Sequence, residues 1–173
     1  HFDLLIALAA WDELERLLPT FERALAQNQA DPDYPKRHRS FLHARARLHV
    51  EKERYREAVS DLDTADRHEA NHDDQRSLAI TGRLVRARAL EGLGDPQGAL
   101  DICRETITYI EEELSPDHPW LARAYACAGR VLNQQGKAEA GATYFERAHK
   151  IVQGTDASPR LRAWVNERTG GAP

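Results

Sequence analysis

A chain of 173 residues with 41% hydrophobic and 30% charged side chains has the make-up of a core-forming globular protein, and this balance excludes a disordered chain. No apolar run approaches the roughly 18 residues of a membrane span, and the opening HFDLLIALAA lacks the basic start of a secretion signal, so the cytoplasm is the expected compartment. The net charge of −4 gives no bulk attraction to nucleic acid or to an acidic surface.

In chain order, Leu4, Leu5 and Leu8 lie at helical spacing and predict a first helix over residues 1–11, with a turn at Asp12-Glu13. A second helix is expected over 13–29. It contains Pro19, whose missing N–H and bulky ring should kink it at a cost of roughly 3 kcal/mol. Pro32 and Pro35 mark the start of the next helical pair, which runs from Asp33 to His68 with a turn at Glu53-Arg54. A third pair begins near Asp74 and ends at Leu114, its helices separated by Gly92-Leu93-Gly94-Asp95-Pro96, a glycine stop followed by a proline start. Pro116 and Pro119 introduce a fourth pair over 117–153, with its turn at Gln135-Gly136-Lys137. Ser158-Pro159 then supplies an N-cap and first-turn proline for a short helix through Arg168. Leu161, Trp164 and Val165 share one side of that helix, as a cap over the end of an array requires. Thr169 to Pro173 is expected to fray.

These pairs are copies of one unit. Phe21-Glu22-Arg23-Ala24 recurs letter for letter as Phe145-Glu146-Arg147-Ala148, three periods later, the periods being 41, 41 and 42 residues. The same register superposes Phe21, Leu62, Cys103 and Phe145, and it superposes Leu5, Ala46, Ala87 and Gly129. Small residues thus recur where two helices must approach closely. Cys103 and Cys127 stand at no metal-ligand spacing and are expected to be small core residues, with neither a disulfide framework nor a zinc site implied.

The connector Pro116-Asp117-His118-Pro119, the Gln135-Gly136-Lys137 turn and the repeated FERA segment make the hairpins resemble tetratricopeptide repeats. They resemble in particular the long variety, of about 42 residues, found in kinesin light chains and in many bacterial multidomain signalling proteins. The resemblance implies an all-α fold: a right-handed superhelical solenoid of antiparallel hairpins, with repeats at about 1–30, 33–70, 74–114 and 117–153. Residues 1–157 would form the repeat domain and 158–173 a capping helix and tail. It further implies that the first helix of each hairpin lines a concave groove. In that frame the ninth position of the first helix holds Ile6, Arg47, Arg88 and Arg130. His43, Arg123, Asn133 and Gln134 fall at other groove-facing positions. The paired asparagines that kinesin light chain repeats carry there have no counterpart in this chain.

Arginine presents a planar fork of donors suited to carboxylate or phosphate. A row of them on helices about 8–10 Å apart would match an extended segment with an acid about every third residue, at roughly 3.3 Å per residue. The expected function is therefore a non-catalytic scaffold that binds a protein or peptide, possibly an acidic one, with no cofactor. The bland alternative pairs the row with Glu51, Glu53 and Glu91 along solvated helix faces. The alternative function is self-association, or packing within a larger signalling protein. Absence of methionine and a helical pattern already under way at residue 1 lead us to expect a piece of a longer bacterial chain.

One enzymatic motif is present. His68-Glu69-Ala70-Asn71-His72 fits H-E-x-x-H, in which two histidines one turn apart hold zinc and the glutamate acts as general base. The register puts it in a polar connector, flanked by Asp66, Arg67, Asp73 and Asp74, with no third ligand nearby, so neither a metal nor catalysis is expected. No phosphate loop or nucleophile elbow occurs, and the negative charge argues against nucleic acid.

Overall fold

The computed structural model describes residues 10–67, 76–154 and 157–169. Among them it contains eight α-helices and no strand. The expected first helix over 1–11, the His68–His72 motif and the tail after Thr169 lie outside the described residues. The chain divides into two compact units, His1–Leu93 and Gly94–Pro173.

The first unit holds α1 (Trp11–Gln27), α2 (Tyr34–Glu51), α3 (Tyr55–Arg67) and α4 (Arg76–Gly92). The turn expected at Asp12-Glu13 is instead the first turn of α1, where both carboxylates face the positive end of the helix dipole. Helix α1 runs unbroken through Pro19, whose side chain is exposed. Its Leu14 and Leu18, with Phe21 and Leu25, pack against Phe41, Leu42, Ala44 and Leu48 of α2. Helix α2 packs on α1, α3 and α4, which is why it buries residues around most of its circumference. A second cluster joins Ala46 and Val50 of α2 to Ala58 and Leu62 of α3 and Ala89 of α4.

Helix α2 ends in a Schellman turn. The N–H of Glu53 donates to Val50 O at 3.1 Å and that of Arg54 to His49 O at 2.7 Å, with Glu53 at φ 58°. Gly136 at φ 76° repeats the motif, its N–H donating to Asn133 O at 3.0 Å while Lys137 donates to Leu132 O at 2.9 Å. Gly94, at φ 83°, occupies the corresponding turn. The left-handed position therefore recurs in the predicted register, and one copy tolerates a glutamate.

Cross-helix ion pairs reinforce the first unit. Arg45 of α2 makes a fork of two bonds to Asp61 at 2.7 and 2.8 Å and a third to Glu22 at 2.8 Å. Arg86 of α4 reaches Asp63 at 2.5 Å and Asp66 at 2.7 Å. Arg45–Glu22 and Arg86–Asp63 are both 23 residues apart and form one contact repeated one period on. His43 lies buried at 3% exposure, its ring against the backbone of Gly82 on α4. Burial, helped by the charges of Arg39, Arg86 and Arg47, pushes its pKa down to about 4.

The second unit holds α5 (Pro96–Glu113), α6 (Trp120–Gln134), α7 (Ala138–Gly154) and α8 (Pro159–Thr169). Asp95 caps α5 by accepting the Gly98 N–H at 2.9 Å, with Pro96 at the first helical position, as the glycine stop and proline start predict. Helix α6 is the centre of the unit, buried from Leu121 to Leu132 except at Arg123 and Arg130. At Gly129 a Cβ would stand 2.5 Å from the Phe145 ring and 3.0 Å from Gly141 O. At Gly141 it would stand 2.8 Å from Gly129 O. Backbone meets backbone here, which is the reason for small residues at this register. Helix α8 starts on Ser158, whose hydroxyl accepts the Leu161 N–H at 3.2 Å. It packs on α6 and α7 through the buried Leu161 and Val165.

The cysteines correct the sequence reading. Cys103 of α5 and Cys127 of α6 form a disulfide, with Cα atoms 6.1 Å apart. Their spacing of 24 residues carries no signal, because only the packing of α5 on α6 brings them together.

Three outcomes test this packing. Gly129→Ala should lower unfolding free energy by about 1–3 kcal/mol through overpacking, measured by denaturant titration, whereas unchanged stability would refute the close α6–α7 contact. Reducing Cys103–Cys127 should cost about 3 kcal/mol for a loop of this size, read as a lower midpoint in dithiothreitol that Cys103→Ala/Cys127→Ala reproduces under oxidising conditions. His43 has a folded pKa below its unfolded value, so its contribution is complete above pH 6.5 and is lost as pH falls toward 4. Stability should drop by about 2 kcal/mol between pH 7 and 5, and His43→Leu should flatten that slope.

Candidate interaction site

The sequence-predicted site residues fall into different environments. In the first unit, Arg47 of α2 and Arg88 of α4 are half-buried on helices that pack against each other. Arg88 makes no hydrogen bond or ion pair among the described residues. Along-helix pairing with Glu91 is therefore not its role. His43, expected at a groove-facing position, instead fills the space over Gly82, and its Nε2 has no hydrogen-bond partner. A buried, neutral imidazole with a depressed pKa is a packing element at neutral pH.

In the second unit, Arg130 of α6 is half-buried. Arg123 lies between two indoles, 5.2 Å from the ring centre of Trp120 and 5.6 Å from that of Trp164. Such cation–π contacts contribute about 0.5–2 kcal/mol each. The contact with Trp164 joins α6 to α8. Asn133 and Gln134 are both exposed, and the Asn133 amide lies against Gly141 of α7. Of the predicted set, Arg47 and Arg88 share one unit on adjacent helices. The others are dispersed among packing, latching and solvent.

Nearby charge is arranged to hold helices together. Tyr125 donates to Glu111 at 2.7 Å, and burial together with that carboxylate pushes the phenol up to about 12. Arg147 sits over the same ring at 5.9 Å. His49 is shifted down by burial, 3.6 Å from Asp61. Among the described residues no group of three or more histidine, cysteine or acidic side chains could hold a metal ion, and no helix is long and apolar enough to cross a membrane.

Sequence reasoning missed the Trp120–Arg123–Trp164 stack. The stack had one available signal, Trp120 and Arg123 three residues apart on one helical face.

A comparison with curated proteins found no match. The Tetratricopeptide repeat family model matches residues 77–154, a stretch beginning in α4 and ending with α7. With α-helices throughout the described residues and neighbouring helices packed together within each unit, the fold is a tetratricopeptide-like helical repeat, similar over residues 77–154 to the tetratricopeptide repeat model.

Proposed function

We propose that the chain is a non-catalytic protein-interaction module. Its repeat helices present Arg47 and Arg88 of the first unit to an acidic, extended segment of a protein partner. A tetratricopeptide repeat supports protein–protein interaction as the general role. The observation that carries the finer reading is Arg88, a half-buried guanidinium without a hydrogen bond or ion pair among the described residues. It sits on the helix packed beside the one bearing its equivalent, Arg47.

Partial burial matters because it reduces solvent screening, so a carboxylate brought to Arg88 gains more than it would at an open surface. The guanidinium stays charged at every relevant pH and can grip both carboxylate oxygens. Arg45 and Arg86 are each committed to two acids and serve the fold. Two arginine sets thus share the helices, one holding adjacent repeats together and one facing a partner.

The test is an array of acidic peptides probed with the unmodified chain and with Arg88→Glu. Binding should weaken at least tenfold in the variant, the loss of about 1.5–3 kcal/mol expected for a charge-assisted hydrogen bond. The salt dependence of the remaining binding should also become shallower. Equal binding by both proteins would remove Arg88 from the site. A dimer in light scattering, dissociated by that same substitution, would favour self-association instead.

A further inference from the structure

Between the second half of α1 and the first turns of α2 lies a cleft of about 490 Å³, lined by Phe21, Ala24 and Leu25 of α1 and by Arg37 and Ser40 of α2. That volume falls within the roughly 300–1,000 Å³ of sites that enclose a ligand. Two acids at its rim, Asp31 and Asp33, stand against two bases, Lys36 and Arg37, so the cleft has no net charge of its own.

Its polar groups are already committed to the fold. Arg37 pairs with Asp31 at 3.0 Å and with Asp33 at 3.8 Å, and Asp31 also accepts the Asp33 N–H at 2.9 Å. The Ser40 hydroxyl donates to Lys36 O at 3.0 Å, and the Asn28 amide donates to Ala24 O at 2.7 Å. What is left for a ligand is apolar surface. Phe21 and Leu25 are half-buried against the core cluster of α1 and α2, and Ala24 is exposed beside them.

The position of the cleft indicates its occupant. Ser40, in its wall, and Arg47 are seven residues apart on α2, which puts them on one side of the helix about 10.5 Å from each other along its axis. An extended chain covers that distance in about three residues. The cleft therefore adjoins the surface around Arg47 and Arg88, the latter on the helix packed beside α2.

We propose that the cleft takes one large apolar side chain, a leucine or an aromatic, of the same partner segment whose acids meet Arg47 and Arg88, with about three residues between anchor and acid. This rests on the acidic-segment reading and adds selectivity to it. Charge draws in any acidic chain, whereas an apolar anchor at a fixed spacing from the acid selects among them.

Fluorescence anisotropy with labelled acidic peptides tests the anchor, each peptide carrying one leucine three residues before or three residues after its acid. One of the two orders should bind the full chain, and replacing its leucine by alanine should weaken binding about tenfold. Ala24→Phe, which fills the cleft from an exposed position, should weaken the leucine peptide to the same level without lowering the melting midpoint. Ala26→Phe, also exposed on α1 and outside the cleft, should bind as the unmodified chain does. Equal binding of the leucine and alanine peptides, equal binding by Ala24→Phe, or no binding of either order would overturn the proposal. So would a dimer in light scattering that Ala24→Phe dissociates, since the occupant would then be a second copy. The two readings fail separately: loss of binding in Arg88→Glu with no preference for leucine removes the anchor alone, whereas a leucine preference that survives Arg88→Glu at full strength removes the arginine surface alone.

Discussion

Close approach of helix backbones is the constraint from which the rest of the structure follows. At Gly129 and Gly141 the backbones of α6 and α7 run so near each other that neither position has room for a methyl group. Ala46, Ala58 and Ala87 are fully buried at related positions of the first unit. Contact this close maximises dispersion and excludes water along the seam, but it removes tolerance for volume. A hairpin built this way still has one open face. The next helix must cover it, and α2 and α6 are accordingly the most enclosed helices of their units.

The seam between successive hairpins shows how one register can be served by different chemistry. Phe21 and Ala44 belong to one apolar cluster, and Leu62 and Val85, one period on, belong to the next. The following copy of that pair is Cys103 and Cys127, joined covalently. A contact that depends twice on burial is thus fixed in the second unit by a bond. It constrains the unfolded chain as much as it holds the folded one. The ion pairs follow the same logic, with Arg45–Glu22 and Arg86–Asp63 spanning equivalent helices.

Arginine's abundance, 20 of the 24 basic residues, is therefore divided among unlike tasks. Some bind acids across helices, one stacks between tryptophans to hold α8, and some line the surfaces from which we read a function. Composition cannot separate these roles. What separates them is the neighbourhood each guanidinium enters, and in a helical array that is set by residues 20 or 40 positions away.

The sequence by itself determined the repeat period, the helical class, the places of the turns at 53, 94 and 136, the proline start of α5, the capping residue Ser158, and the small positions at the helix contacts. All of these are local or periodic, and backbone geometry acts within a few residues of its cause. It mislocated the start of α1, because Asp12-Glu13 serves as well in a first turn as in a loop. It placed His43 and Arg123 at groove-facing positions by their helical position alone. Tertiary structure decided that His43 fills the space above a glycine, that Arg123 stacks on Trp164, that Asn133 lies against Gly141, and that two unremarkable cysteines meet. Each of those outcomes depends on which side chain stands opposite on another helix, a relation that a 3.6-residue period does not encode.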